Sequence, residues 1–285
     1  MTSIAQLQSG HLQSGKDHHQ ENFPVASFLI AARHRAPILA FYRFARAADD
    51  IADHPTAPAD EKLRLLEEMR ASLVGESMAS REGVALAAVQ KERGLSPQHA
   101  LDLLEAFRRD CTKTRYDNWA ALLDYCRYSA APVGRFVLDV HGESQDTWPA
   151  NDALCAALQI INHLQDCGKD YRDLNRVYIP LDALGGASVE ALAAPAASPA
   201  LRSVIAALAR KNALLLDQSA VFARQIRDHR LALEVDLIQT LALDLNSLLM
   251  RRDPLSQRVH HSKSAVAGLF VARFPAFLLS RLSRT

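Results

Sequence analysis

Apolar residues recur at helical spacing along most of the chain, and alternation of period two is almost absent. Residues three or four apart share one face of a helix, so this pattern predicts helices rather than strands. The predicted helices cover approximately 37–54, 60–75, 82–92, 97–113, 117–128, 131–142, 151–171, 200–227, 231–250 and 263–282. Ser96 followed by Pro97 is typical of a helix start, with Ser as the N-cap and Pro at the first helical position. The predicted fold class is therefore all-α.

Two segments depart from the helical pattern. Residues 1–20 repeat the tetrapeptide LQSG, and we interpret them as a flexible N-terminal arm. The stretch from 185 to 200, GGASVEALAAPAASPA, has few large side chains, and we interpret it as a loop outside the core. Helical patterning of the same kind resumes after this loop. Residues 21–285 are therefore predicted to form a single domain.

The composition narrows the range of functions. The chain has 285 residues, of which 49% are hydrophobic, and its 33 basic side chains are balanced by 32 acidic ones. Such a chain is expected to fold around a core, and it lacks the basic runs that binding to nucleic acid requires. Its four cysteines include no C-x-x-C pair and it shows no secretory signal. We therefore expect a cytoplasmic protein with reduced thiols.

The C-terminal segment from 265 to 282 is apolar but is interrupted by Arg273, Pro275 and Arg281. It contains no uninterrupted apolar stretch of the ~18 residues that a membrane-spanning helix needs. We favour a last core helix kinked at the proline. The alternative is an interfacial helix that makes peripheral contact with the inner face of the membrane.

Carboxylates are concentrated in two apolar parts of the chain. In the first, FYRFARAADDIAD at 41–53, Asp49 and Asp53 lie four residues apart and share one helical face. Tyr42 and Arg46 extend the same face toward the start of the helix. We name residues 42–53 the first acidic motif.

The second concentration of carboxylates is QIINHLQDCGKD at 159–170. Asn162, Asp166 and Asp170 follow one another at intervals of four, and Gln159 extends their face by a turn. We name residues 159–170 the second acidic motif. Both motifs combine a polar face with apolar neighbours, which is unusual for a helix that lies on the surface.

Like charges four residues apart destabilise an isolated helix by ~0.2–0.5 kcal/mol, so another interaction must offset this repulsion. One alternative is that the acids are solvated and balanced by nearby Arg and Lys. The other is that they bind Mg²⁺, which prefers oxygen ligands and is often shared with substrate phosphate groups. Mg²⁺ on a diphosphate promotes its departure, and an apolar helical bundle would protect the resulting carbocation from water.

Five blocks, in order along the chain, resemble the squalene/phytoene synthase family of head-to-head prenyl synthases. They are S-F at 27–28, Y-x-x-x-R-x-x-D-D-x-x-D at 42–53, Y-C-x-x-S-A-x-x-V-G at 125–134, Q-x-x-N-x-x-x-D-x-x-x-D at 159–170 and R-V-Y-I-P at 176–180. The resemblance implies an all-α isoprenoid synthase bundle around a central cavity. It also implies a prenyl diphosphate substrate and an Mg²⁺ cofactor, for which Mn²⁺ is an alternative.

The resemblance implies a role for each matching residue. Four aspartates would be catalytic and would hold the metal together with Asn162: Asp49, Asp53, Asp166 and Asp170. Eleven residues would bind substrate: Ser27, Phe28, Tyr42, Arg46, Tyr125, Ala131, Val133, Gly134, Gln159, Asn162 and Tyr178. For Val133 and Gly134, close packing between helices is an equally good explanation.

Within the family, segments 21–27, 162–180 and 252–263 are most similar to the hydroxysqualene synthase branch of bacterial hopanoid pathways. This implies conversion of presqualene diphosphate and water to hydroxysqualene and diphosphate, without NADPH, with other hopanoid-pathway enzymes as partners. Gln165 stands where many relatives carry Arg, and a site that need not bind a second prenyl diphosphate would tolerate that change.

Two other functions stay open at this point. The first is condensation of two prenyl diphosphates to presqualene diphosphate, squalene or phytoene. The second, more remote, is a non-catalytic assembly factor with the same fold. In segment 252–263, we interpret His260 and His261 as surface residues rather than proton carriers, and Arg252 and Arg258 as candidate diphosphate partners.

Overall fold

A computed structural model describes residues 29–282, and at 263, 267, 270, 276 and 278–282 it describes the helical backbone alone. Within this range the regular structure is helical, with one isolated β-bridge between Arg115 and Val177, so the all-α prediction is confirmed. The chain divides into two compact units, one ending at Lys113 and the other starting at Thr114. The predicted arm, Ser27 and Phe28 lie outside the described residues. The prediction of a single domain stays a prediction.

The helices largely match the predicted ones. The first unit contains α1 (Ala32–Ala52), α2 (Ala59–Leu73), α3 (Arg81–Arg93) and α4 (Gln98–Asp110). The second contains α5 (Trp119–Ser129), α6 (Ala131–His141), α7 (Trp148–Gln165), α8 (Cys167–Leu174), α9 (Leu181–Leu184), α10 (Pro199–Ser219), α11 (Phe222–Gln225), α12 (His229–Leu249) and α13 (Lys263–Leu282). Short 3-10 turns occupy Gln145–Thr147 and Val189–Ala193.

In the first unit, α1 packs against α2, α3 and α4 and contributes the fully buried Phe44. The helix begins earlier than predicted, so that Pro37 lies inside it. Proline has no amide proton to donate to the carbonyl of Arg33, one turn earlier. That carbonyl instead accepts a hydrogen bond from Nη2 of Arg93, at the end of α3, at 3.0 Å. A contact between helices thus compensates for the proline.

In the second unit, α7 is central and packs against α5, α6, α10 and α12. Two buried asparagines connect these helices. Asn212 of α10 donates to the carbonyl of Ala157 at 3.2 Å and to Oδ1 of Asn246 at 3.1 Å. Asn246 of α12 in turn donates to the carbonyl of Ala209 at 2.9 Å. Buried amides hydrogen-bonded in this way fix the register between neighbouring helices.

Some sequence-based boundaries were wrong. The segment predicted as a helix over 151–171 is divided at Asp166, and the one over 200–227 ends at Ser219 before a separate short helix. Helix α4 starts one residue late, although Oγ of Ser96 still accepts a hydrogen bond from the amide of Gln98 at 3.1 Å. The stretch 185–200 is not wholly outside the core, because Leu192 is completely buried. One large side chain was sufficient to anchor this small-residue segment.

The last helix, α13, packs against α12. Nε of Arg273 forms an ion pair with Oδ2 of Asp236 of α12 at 2.8 Å, and Phe277 is buried. Helix α13 continues through Pro275. Among the described helices, none combines the length and the apolar character that crossing a membrane requires.

Candidate functional site

The first acidic motif lies in the last three turns of α1. Arg46 contacts two of its carboxylates, with Nη1 at 3.1 Å from Oδ2 of Asp49 and Nη2 at 2.6 Å from Oδ1 of Asp50. The side chain of Asp50 is 7% exposed and that of Asp49 is 36% exposed. Asp53 follows one turn after Asp49, and its amide donates to the carbonyl of Asp49 at 2.8 Å. One arginine is therefore shared between two of three neighbouring acids.

The carboxyl group of Asp49 is a weaker acid than that of an ordinary aspartate. Burial and, next, the negative charge of Asp53 raise its pKa to about 7, while Arg46 opposes the shift and Asp50 and Asp110 add to it. A carboxylate that is costly to ionise among other carboxylates is stabilised by an added cation. The oxygen donors of this motif therefore fit Mg²⁺, whereas they lack the thiolates that a structural zinc site favours.

The raised pKa of Asp49 predicts how the metal-free protein responds to pH. A carboxyl group with a raised pKa stabilises the folded state while protonated, and this contribution is lost as the pH rises from about 4 to about 7. Asp49→Asn stays neutral, so it is expected to be the more stable protein at pH 8 and to lose that advantage toward pH 4. The side chain is 36% exposed, so we expect roughly 1 kcal/mol, equivalent to ~2–4 °C in Tm.

Thermal unfolding of the two proteins in EDTA between pH 4 and pH 8 measures this difference. Asp60→Asn, at the exposed start of α2, makes the same change of charge away from the motif and serves as the control. A constant difference in Tm between wild type and Asp49→Asn across this range would contradict the prediction.

The second acidic motif lies at the junction of α7 and α8. The backbone of Asp166 leaves the helical region, with φ −100° and ψ 9°. Its amide nevertheless donates to the carbonyl of Asn162 at 2.9 Å, and the amide of Asp170 donates to the carbonyl of Asp166 at 2.8 Å. The spacing of four residues therefore survives the break, and the backbone of all three candidate ligands remains in register.

Burial, and next the charge of Asp170, raise the pKa of Asp166, while His260, Lys169 and His163 act in the opposite direction. Asp170 is mostly buried, with 16% of its side chain exposed. This motif therefore repeats the electrostatics of the first one. Two carboxylates destabilise each other's charge, and with the amide of Asn162 they provide an oxygen donor set that fits Mg²⁺.

Aromatic residues are grouped beside the second motif. Tyr178 stacks on the ring of His163 with 3.5 Å between centroids and 15° between planes, and Tyr125 lies 5.4 Å from Tyr178. Tyr116 lies 5.6 Å from Tyr178 and 5.2 Å from Tyr125. The structure thus brings together two predicted substrate-binding residues, Tyr125 and Tyr178. Sequence reasoning missed His163 and Tyr116, although His163 falls inside the second motif.

A sharp turn after α8 positions Tyr178. Asn175 adopts a left-handed conformation with φ 50°, and its Oδ1 accepts a hydrogen bond from Nη2 of Arg115 at 2.7 Å. The amide of Val177 then donates to the carbonyl of Thr114 at 2.9 Å. Asn tolerates this backbone conformation better than most residues. The turn directs the R-V-Y-I-P segment back toward α7.

The predicted substrate-binding residues in α6 have different environments. Ala131 is buried, whereas Val133 is 41% exposed. A Cβ atom added to Gly134 would lie 2.0 Å from Oδ1 of Asn151 and 2.8 Å from Sγ of Cys155, both on α7. Close packing of α6 on α7 therefore explains Gly134 in full, and its proposed contact with substrate stays a prediction.

Gly134→Ala is expected to destabilise the protein, because Asn151 is buried and its amide already donates to the carbonyl of Ala131 at 3.3 Å. Overpacking of this kind typically costs ~1–3 kcal/mol, hence about 2–12 °C in Tm. Thermal unfolding measures the loss, and Gly186→Ala, where an added Cβ meets nothing within 4 Å, is the control. Equal Tm values for the two variants would contradict this account.

A cavity of about 320 Å³ lies beside the second motif in the same unit. Its lining includes Asp166 and four basic side chains: Lys169, Arg172, Arg258 and His260. Gln165 donates from Nε2 to the carbonyl of Val259 and so holds the cavity wall in place. The basic lining makes this cavity suitable for an anion.

The prediction that His260 and His261 are surface residues was wrong. His260 lines the cavity, and Nε2 of His261 lies 2.7 Å from Oδ2 of Asp244 with 10% of its side chain exposed. The polar sequence around them concealed the contact of His261 with α12. Arg252 is exposed, and its Nη1 donates to the carbonyl of Arg258 at 3.4 Å.

Comparison with known proteins gives concordant results. A family model described as squalene/phytoene synthase matches residues 16–265. The chain is 55% identical to the hydroxysqualene synthase of Zymomonas mobilis over 93% of this chain and 91% of that protein. It is 56% identical to the hydroxysqualene synthase of Rhodopseudomonas palustris over 91% of this chain and 88% of that protein. The solved structure of squalene synthase HpnC from Alicyclobacillus acidocaldarius superposes with a TM-score of 0.69 at 33% identity, covering 81% of this chain and 87% of that one.

Proposed function

The chain belongs to the squalene/phytoene synthase family, and within it we propose that the protein is a hydroxysqualene synthase. The observation that carries this proposal is the 55% identity to a hydroxysqualene synthase over more than nine tenths of both chains. The reaction converts presqualene diphosphate and water to hydroxysqualene and diphosphate. The oxidation level of the carbon skeleton is unchanged, so neither NADPH nor another reductant is required.

Each acidic motif would hold a metal ion through its own oxygen atoms. In the first unit the ligands would be the carboxylates of Asp49 and Asp53, at the end of α1. In the second unit they would be the carboxylates of Asp166 and Asp170 with the amide oxygen of Asn162. When bound, Mg²⁺, or Mn²⁺ in its place, makes diphosphate a better leaving group. The mutual repulsion within each motif supports this assignment, since a divalent cation relieves it.

The substrate's diphosphate is bound by basic side chains, and its carbon skeleton by aromatic and apolar ones. In the first unit, Arg46 forms ion pairs with Asp49 and Asp50, and its guanidinium is a donor that suits phosphate oxygens. In the second unit, the basic cavity beside Asp166 is suited to the leaving diphosphate. Tyr125 and Tyr178 belong to a buried aromatic cluster, whose π-electron density stabilises the carbocation that remains after ionisation. The buried rings also exclude bulk water until the cation has rearranged.

The choice of substrate tests the proposal. Purified protein with Mg²⁺ is incubated separately with presqualene diphosphate and with farnesyl diphosphate, and the products are extracted and identified. We expect hydroxysqualene from the first and no turnover of the second. Turnover of farnesyl diphosphate alone would instead identify a condensing enzyme, and turnover of neither would favour an assembly factor.

We also infer peripheral contact with the cytoplasmic face of the membrane through α13. Val271 is 72% exposed and Phe274 is 37% exposed on this helix, on either side of Arg273, whose charge is paired with Asp236. Exposed apolar side chains on a helix favour burial in a lipid surface. The contact would bring the enzyme close to its water-insoluble product and to other hopanoid-pathway enzymes. Co-sedimentation with anionic vesicles, lost in Val271→Ser with Phe274→Ser, is the test.

A further inference from the structure

His163 is held by three contacts within the second unit. Its Nε2 lies 3.1 Å from Nε2 of Gln159, one turn earlier in α7. Its Nδ1 lies 3.8 Å from Oδ2 of Asp170 in α8. Its ring stacks on Tyr178, and the whole residue is 9% exposed. This imidazole is therefore fixed in position, and both of its nitrogens face residues of the second acidic motif.

The contact with Gln159 has a direction. An amide nitrogen donates hydrogen bonds and does not accept them, so Gln159 is the donor and Nε2 of His163 is the acceptor. The other ring nitrogen, Nδ1, faces the carboxylate of Asp170 at 3.8 Å. The imidazole thus connects the carboxylate of Asp170, a proposed metal ligand, to the amide of Gln159.

The orientation of Gln159 has a chemical consequence. Since its nitrogen is turned toward His163, its oxygen Oε1 is the group available to the substrate. A water molecule that donates one hydrogen to an amide oxygen becomes more nucleophilic and keeps both of its lone pairs. An amide nitrogen in the same place would donate to the water and use one of those lone pairs. This orientation therefore suits a reaction in which water is the nucleophile.

We propose that His163 is a positioning residue for the capture of the product cation by water, acting through Gln159. This inference rests on the proposed function. The bond from carbon to diphosphate oxygen breaks, and its electron pair leaves with the diphosphate. A lone pair of the positioned water then forms the new carbon–oxygen bond, and the surplus proton of that water passes to a diphosphate oxygen.

His163→Phe tests the inference, because phenylalanine preserves the stack on Tyr178 and removes both nitrogens. With labelled presqualene diphosphate in H₂¹⁸O, we measure the rate of diphosphate release and the ratio of ¹⁸O-alcohol to hydrocarbon products. The ratio is expected to fall about tenfold, as for loss of one hydrogen bond in the capture step. His163→Gln, whose side-chain oxygen can again accept from Gln159, is expected to restore most of the ratio.

The ratio of products does not depend on how much of a variant is folded. Gln159→Leu, which leaves His163 and Tyr178 in place, gives an independent measurement and is expected to lower the ratio as well. A wild-type ratio in His163→Phe or in Gln159→Leu would overturn the inference, even if diphosphate release became slower. Failure of the proposed function is distinct, since wild type would then form no hydroxysqualene from presqualene diphosphate.

Discussion

Asp166→Asn is expected to lower the turnover of presqualene diphosphate by ~10³-fold or more. The substitution removes a negative charge from the proposed metal site and so weakens the stabilisation of the leaving diphosphate, which is worth several kcal/mol. Each ~1.4 kcal/mol of lost stabilisation lowers the rate tenfold. The backbone hydrogen bond from residue 166 to the carbonyl of Asn162 does not involve the side chain and is retained. Folding should therefore be preserved while the chemical step fails.

Asp173→Asn is the matched control. Asp173 lies in α8 as well, but its side chain is 56% exposed and its Oδ2 is 3.8 Å from Nζ of Lys169. An exposed ion pair of this kind contributes ~0–1 kcal/mol, so this variant should keep wild-type turnover and stability. Steady-state kinetics and the Mg²⁺ concentration for half-maximal activity are measured for both. Comparable activity of the two variants would remove Asp166 from the proposed metal site.

The sequence predicted the helices well because their apolar positions follow the helical period over long stretches. It also placed both acidic motifs on helices, since Asp49 and Asp53, and Asp166 and Asp170, are spaced by one turn. The break at Asp166 was missed because the hydrogen bonds on either side of it preserve that spacing. Local periodicity does not reveal a deviation that leaves the register unchanged.

Contacts between segments that are far apart in the chain could not be predicted from the local sequence pattern. His163 resembles any other polar residue of α7 until the turn at Asn175 brings Tyr178 against its ring. Similarly, His261 is separated from Asp244 by a polar loop, and nothing near either residue indicates that they pair. The resemblance to a family supplied roles for the residues in matched blocks. It supplied none for His163, which the motif counts as a variable position.

If Mg²⁺ is the cofactor, as we propose, chelating it is expected to abolish turnover and also to destabilise the folded protein. Within each acidic motif, the charge of a neighbouring carboxylate helps burial to raise the pKa of one aspartate: Asp53 acts on Asp49, and Asp170 acts on Asp166. A cation that binds the folded state alone, at 100 times its Kd, stabilises that state by ~2.7 kcal/mol. For a chain of this size we therefore expect saturating Mg²⁺ to raise Tm by about 5–11 °C over the protein in EDTA.

Differential scanning calorimetry with MgCl₂, and with NaCl at equal ionic strength, separates specific binding from general screening of charge. Screening acts on all exposed charges alike, whereas binding requires the carboxylates of the motifs. The shift with Mg²⁺ should therefore shrink in Asp166→Asn and persist in Asp173→Asn. An equal shift with NaCl, or full activity after exhaustive chelation, would mean that the two acidic motifs are balanced by the protein's own cations. The ion pairs of Arg46 with Asp49 and Asp50 would then be sufficient to balance the charge of the first motif without a metal.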